Sequence, residues 1–244
     1  VVAVCGCGRG AASRAAAPAP YSPPEAAEPA PGPIDTAGLI PVRFARGTSS
    51  ALVNDSLMGD LSRSYLLGAL QGQVMLAHAI TWPVREDSAP PARATVRVFS
   101  ALDGRELTAP SGRGSLWSGR LPGTGDYVVR VSGSAPTAYT LAVQIPRSLH
   151  LRPGDPTAQI AGTAPSRAPV DYLVRGESGS RLAASLAEPG ATLHVYGLED
   201  GRQLAPLSER RREWAGTLPA AQDYIVSVVP AGEGAEYQLT VTLR

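Results

Sequence analysis

Hydrophobic and polar positions alternate, or run apolar, over short stretches of the chain. Thr95-Val96-Arg97-Val98-Phe99, Tyr127-Val128-Val129-Arg130-Val131 and Thr140-Leu141-Ala142-Val143 show this. Such lengths and a period of two predict β-strands rather than helices. Turn formers stand between them: Asp103-Gly104, Gly123-Thr124-Gly125-Asp126 and Gly232-Glu233-Gly234. Asp-Gly between strands is a strong hairpin signal, because both residues tolerate the backbone a tight turn needs.

The pattern occurs twice. Tyr65-Leu66-Leu67-Gly68 precedes an apolar run, and Tyr172-Leu173-Val174-Arg175 does the same 107 positions later. Upstream, Phe44 to Gly47 aligns with Leu151 to Gly154. Downstream, Asp103-Gly104-Arg105 aligns with Asp200-Gly201-Arg202, now 97 positions on. Trp117-Ser118-Gly119-Arg120-Leu121-Pro122 pairs with Trp214-Ala215-Gly216-Thr217-Leu218-Pro219, Asp126-Tyr127 with Asp223-Tyr224, and Tyr139 with Tyr237. The change of offset reflects an insertion in the first copy, Thr81 to Pro91, which contains Trp82. Strands at roughly 8–12-residue spacing over a unit of about 100 residues predict a sandwich. The expected fold class is therefore all-β: two tandem jelly-roll-like β-sandwich domains, residues 38–147 and 148–244. Asp126-Tyr127 and Asp223-Tyr224 read as tyrosine corners, in which the phenol closes a crossover onto backbone. With Tyr65, Tyr172, Trp117 and Trp214, they are the expected fold-determining residues, and the two tryptophans are expected in the core.

Composition separates the N-terminus from this repeat. Both cysteines, Cys5 and Cys7, lie within the first seven residues, so no disulfide framework holds the repeat together. Residues 1–7 read as the remnant of a signal peptide ending in a lipobox, with Cys7 as the lipidated residue after Gly6. Residues 8–37 are rich in Ala and Pro, with too little bulky apolar surface to offset the entropy of ordering. They are expected to be a disordered tether. No stretch reaches the ~20 apolar residues of a spanning helix, so membrane attachment is expected through lipid only.

The formal net charge is +1, which gives no support to a nucleic-acid partner. All 22 basic residues are Arg, which excludes chemistry that depends on a lysine. Three histidines occur: His78 and His194 in apolar strand runs and His150 at the start of the second copy. None recurs at the equivalent position of the other copy, and no nucleophile motif or calcium-type acidic string appears. The chain is thus expected not to be an enzyme and to need no cofactor. Two surface features could contact a ligand. Arg210, Arg211 and Arg212 form a cationic turn before Trp214, suited to an anion. Trp82 sits beside Pro83 in the insertion, where it could stack on a sugar or peptide.

The aligned residues resemble the pre-peptidase C-terminal type of β-sandwich. The shared elements are Phe44-x-x-Gly47, the Tyr65 strand leading into Gly72-Gln73, and Trp117 to Pro122 followed by Gly125-Asp126-Tyr127. Within that fold the segments are similar to periplasmic inhibitors of goose-type lysozyme. In that branch an Arg-rich stretch follows the Gly-Asp-Tyr strand; here the stretches read Ser132 to Pro136 and Pro230 to Gly234, without a basic residue. The resemblance implies an exported bacterial protein, periplasmic or attached to the outer membrane. Two roles remain open: a non-catalytic, lipid-anchored binding or accessory protein whose partner is an envelope protein or glycan, and an inhibitor of goose-type lysozyme.

Overall fold

Eighteen strands and one short 3-10 turn make up the described part of the chain. The computed structural model describes residue 2 and residues 31–244, apart from 47, 59–61, 83–92, 108–113, 152–153, 167 and 233; Trp82 is described by its backbone alone. Cys7 and most of the expected tether therefore lie outside the described residues. Residues 31–244 form one compact unit.

The first half contains β1 (Ile40–Pro41), β2 (Ser50–Leu57), β3 (Ser62–Ala69), β4 (Val74–Trp82), β5 (Ala94–Ser100), β6 (Glu106–Leu107), β7 (Leu116–Arg120), β8 (Gly125–Gly133) and β9 (Thr137–Gln144). The second contains β10 (Arg147–Leu149), β11 (Thr157–Ala164), β12 (Val170–Gly176), β13 (Arg181–Leu186), β14 (Ala191–Gly197), β15 (Gln203–Ala205), β16 (Glu213–Thr217), β17 (Gln222–Pro230) and β18 (Ala235–Leu243). Each half has a five-stranded and a four-stranded sheet. The orders are β1-β3-β8-β5-β6 with β2-β9-β4-β7, and β10-β12-β17-β14-β15 with β11-β18-β13-β16. The second pair repeats the first strand for strand. In both, the opening strand pairs in parallel and the other pairings are antiparallel. This is an all-β, sandwich-type architecture.

Strand alternation explains the layers. Met75, Ala77 and Ala79 of β4 point inward with Val96, Val98, Val129 and Val131. In the second half Leu193 and Val195 of β14 do so with Tyr224, Val226 and Val228 of β17. Two tyrosines meet at the centre of each core. Tyr65 donates to Asp55 Oδ2 at 2.8 Å and shares a hydrogen bond with Tyr139, while Tyr172 and Tyr237 pair at 2.5 Å. Gly162 permits this second pair, since a Cβ there would lie 2.7 Å from the Tyr237 hydroxyl.

The local motifs follow the same physics. Tyr127 donates to Gly123 O at 2.5 Å, and Tyr224 donates to Ala220 O at 2.7 Å. Asp103 and Asp200 accept from the amides of Arg105 and Arg202, and the intervening Gly104 and Gly201 take positive φ. In each Trp-x-Gly segment the indole lies across the glycine two residues on; a Cβ at Gly119 or Gly216 would sit 2.9 or 2.6 Å from the ring. Trp117 is buried and donates to Leu107 O at 3.1 Å. Trp214, expected in the core, is instead half-buried and packs against the core margin, although its strand β16 holds the same edge position as the Trp117 strand β7. Trp82, expected on an inserted loop, has its backbone at the end of β4, paired with Ala138.

Candidate functional site

The outward-facing residues of β4 are as apolar as the inward-facing ones. Val74 and Leu76 turn away from the first half's core and cluster with Tyr196, Leu198 and Ile225 of the second half. Leu116 and Leu173 pack against the same cluster. The outer face of the first half's four-stranded sheet thus meets the outer face of the second half's five-stranded sheet. Removing such side chains from water stabilises the contact by on the order of 1.5–3 kcal/mol each.

Polar groups join the halves around this patch. Arg120 pairs with Asp223 and also donates to Gly72 O at 2.7 Å. Glu199 accepts from the Asp223 amide at 3.0 Å; its carboxyl titrates above the usual range because of burial and then the Asp223 charge. Gln144, at the end of β9, donates to Pro169 O at 2.9 Å and Asp171 Oδ2 at 2.5 Å, and accepts from the Asp171 amide at 3.2 Å.

Beside the apolar patch the two sheets leave a cavity of ≈ 390 Å³ between them. Leu76, His78, Ile80 and Leu116 wall it from the first half. Asp171, His194, Tyr196 and Ser227 supply its polar surface from the second, and Leu207, Ala231 and Gly232, all exposed, lie at its rim. The volume falls in the lower part of the range for small-molecule pockets, roughly 300–1,000 Å³.

Burial dominates the electrostatics of this cavity. Burial lowers the His78 imidazole to about 4, helped by nearby His194. Burial also lowers His194, whose Nε2 lies 2.8 Å from Gln203 Oε1. Both rings are therefore neutral at pH 7. Asp171 is only 3% exposed, and burial raises its carboxyl to about 6, against the hydrogen bonds of Ser227 and Gln144. The Ser227 hydroxyl lies close enough to lower it, but Oδ1 has no partner in hydrogen-bonding geometry. The Tyr196 hydroxyl neighbours Ser118, yet neither oxygen reaches hydrogen-bonding geometry, and burial drives the phenol far above its usual range. Tyr196 packs its ring on His194 at 4.8 Å between centroids. Apolar walls with a few converging polar groups of perturbed titration are the usual mark of a binding site. Among the described residues no three His, Cys, Asp or Glu side chains are placed to hold a metal ion, and no helix is long and apolar enough to cross a membrane.

Of the residues singled out from the sequence as ligand contacts, the described ones are not in the cavity lining. Arg210 occupies a left-handed turn position after the 3-10 turn Leu207–Glu209, and Arg211 pairs with Glu209. Arg212 donates to Leu186 O and Ala187 O at 3.1 and 2.6 Å, so it fastens the strand end of β13. Two of the three guanidinium groups, those of Arg211 and Arg212, thus have partners within the fold. The Trp82 side chain and Cys7 lie outside the described residues. His78 and His194, set aside as separate strand histidines, face one cavity. The signal for them was the asymmetry of the repeat: β4 is apolar on both faces, whereas its counterpart β13 shows Arg181, Ala183 and Ser185 outward.

No protein-family model matches the chain, and none of the curated proteins does. Among solved structures it is similar to Aeromonas hydrophila PliG, a periplasmic lysozyme inhibitor of g-type lysozyme. The identity is 27% over 43% of this chain and 94% of that one, with a TM-score of 0.34. Salmonella Typhimurium PliG, also a periplasmic inhibitor of g-type lysozyme, shares 16% identity over 40% of this chain and 96% of its own, with a TM-score of 0.33. The CUB1-EGF-CUB2 domains of human MASP-1/3 are similar at 10% identity over 79% of this chain and 99% of that one, with a TM-score of 0.26.

Proposed function

We propose that the protein is an exported, non-catalytic binding protein of the bacterial cell envelope, lipid-anchored through Cys7, with the junction cavity as its ligand site. The observation that supports this reading most is that both halves wall one apolar cavity carrying neutral imidazoles and a half-paired carboxylate. His194 Nε2 is engaged by Gln203 Oε1. Native mass spectrometry of protein taken from its own envelope tests this. A small molecule carried by the wild type and lost from a cavity-filling Ile80→Trp variant is the expected result. Identical spectra for the two reject it. The same measurement reads the anchor, since an unmodified Cys7 in the mature chain ends that part of the proposal.

A second reading, inhibition of goose-type lysozyme, is favoured by the Arg43-Phe44-x-x-Gly47, Gly72-Gln73 and Gly125-Asp126-Tyr127 segments of the first half. Titrating the full chain into a goose-type lysozyme assay decides it; full lysozyme activity at micromolar protein excludes this role.

A further inference from the structure

The charge inside the junction cavity defines what the cavity can hold. Among its lining residues only Asp171 can carry a full charge at neutral pH, because both imidazoles are held uncharged. Its Oδ2 is taken by Gln144, and its Oδ1 has only the nearby Ser227 hydroxyl, which does not reach hydrogen-bonding geometry. Two cations of the junction are committed elsewhere: Arg120 and Arg175 both lie against Asp223. Among the described residues no cation pairs with Asp171. A buried carboxylate lacking a counter-charge is costly, and the cost disappears when a cation meets it. A second carboxylate would be repelled by Asp171 and would find no guanidinium among the described lining residues. An ammonium suits the remaining surface as well. Neutral His78 and His194 can accept its further N–H bonds, and the Tyr196 ring offers a π face. Leu76, Ile80 and Leu116 supply apolar walls for the rest of such a molecule.

We propose that the junction cavity binds a small organic cation: an apolar aliphatic or aromatic body ending in a protonated amine that pairs with the Asp171 carboxylate. This inference rests on the reading of the junction as the ligand site. The titratable groups that face the amine are Asp171 on β12, His78 on β4, and His194 and Tyr196 on β14.

The test uses the full chain and three probes of similar shape: 2-phenylethylamine, 2-phenylethanol and 3-phenylpropanoate, titrated calorimetrically near neutral pH. The amine should bind about tenfold more tightly than the alcohol, the margin of a charge-assisted over a neutral hydrogen bond. The propanoate should bind weakest. Asp171→Asn keeps the side-chain shape and should bring the amine down to the level of the alcohol, while Ile80→Trp should abolish both. Circular dichroism melts show that each variant is folded. A propanoate that binds as well as the amine overturns the inference, as does an amine preference that survives in Asp171→Asn. Equal binding of amine and alcohol, abolished by Ile80→Trp, overturns the cation while leaving the cavity as the site. Absence of binding by all three probes removes both.

Discussion

Replacing Asp171 by Asn changes how stability responds to acid, and the sign follows from its surroundings. In the folded chain the Asp171 carboxyl keeps its proton up to about pH 6, whereas an unfolded aspartate releases it near 3.8. Between these values the folded state binds more protons than the unfolded one, so stability falls as pH rises. A shift of about two units corresponds to about 3 kcal/mol. His78 works in the opposite sense. Its imidazole is neutral in the folded state down to about 4 but protonates near 6.5 when unfolded. Stability contributed by His78 therefore rises with pH over the same window, by up to about 3 kcal/mol, and by less because the ring is only half-buried. His194, also lowered by burial, adds to that slope. The wild type should show little net dependence from these groups between about pH 4 and 6.5. Asn at 171 retains the shape and can still accept from Gln144, but it cannot ionise. Its stability relative to wild type should grow by about 2–3 kcal/mol between about pH 4 and pH 7. His78→Gln should do the reverse, losing ground by a similar or smaller amount. Urea unfolding followed by circular dichroism at several pH values measures both. Parallel stability curves for wild type and Asp171→Asn would show that Asp171 titrates as an exposed carboxyl, and the account of the junction would be wrong.

Three further outcomes are expected. Leu76→Ala removes a buried side chain from the junction patch beside an existing void, so its cost should lie at the low end of core truncations, about 2–3 kcal/mol. Because Leu76 belongs to the first half but packs on the second, the unfolding midpoint reported by Trp214 should fall as well; an unmoved Trp214 transition contradicts the docking. Tyr224→Phe deletes the hydroxyl that donates to Ala220 O and should cost about 1–2 kcal/mol in urea unfolding, with no loss if the corner is closed by packing alone. Arg120→Ala breaks the pair with Asp223, but the Arg side chain is half exposed, so the loss should stay near 1 kcal/mol and shrink in high salt; a salt-independent loss would point to packing instead.

Much of the fold was legible because each half repeats the same short-range chemistry. Asp-Gly turns, Trp-x-Gly and Asp-Tyr each involve partners only a few residues away, and these contacts form identically in both halves. Trp214 shows where this reasoning weakens, since burial on an edge strand depends on what covers the edge. The candidate site was not legible, for a related reason. Comparing the copies aligns His78 with Ser185 and His194 with Arg97, so neither histidine finds an equivalent. The halves are alike inside and unlike outside, because one docks through its four-stranded sheet and the other through its five-stranded sheet. The corresponding outer face of the first half carries Arg97 and Arg130 stacked on Phe99 at 5.2 and 4.9 Å, with Ile34 and Leu39 packed nearby. Differences between repeats, rather than their matches, mark the surfaces that meet.

The central claim is that the two halves are held as one body with a cavity between them. Residual dipolar couplings test this most directly, because strands of a rigid body share one alignment tensor. Couplings from β2 to β9 and from β10 to β18 should give tensors of the same magnitude and orientation in the arrangement described. Tensors that differ in magnitude would mean that the halves move independently, and a cavity walled by both would then have no lasting shape.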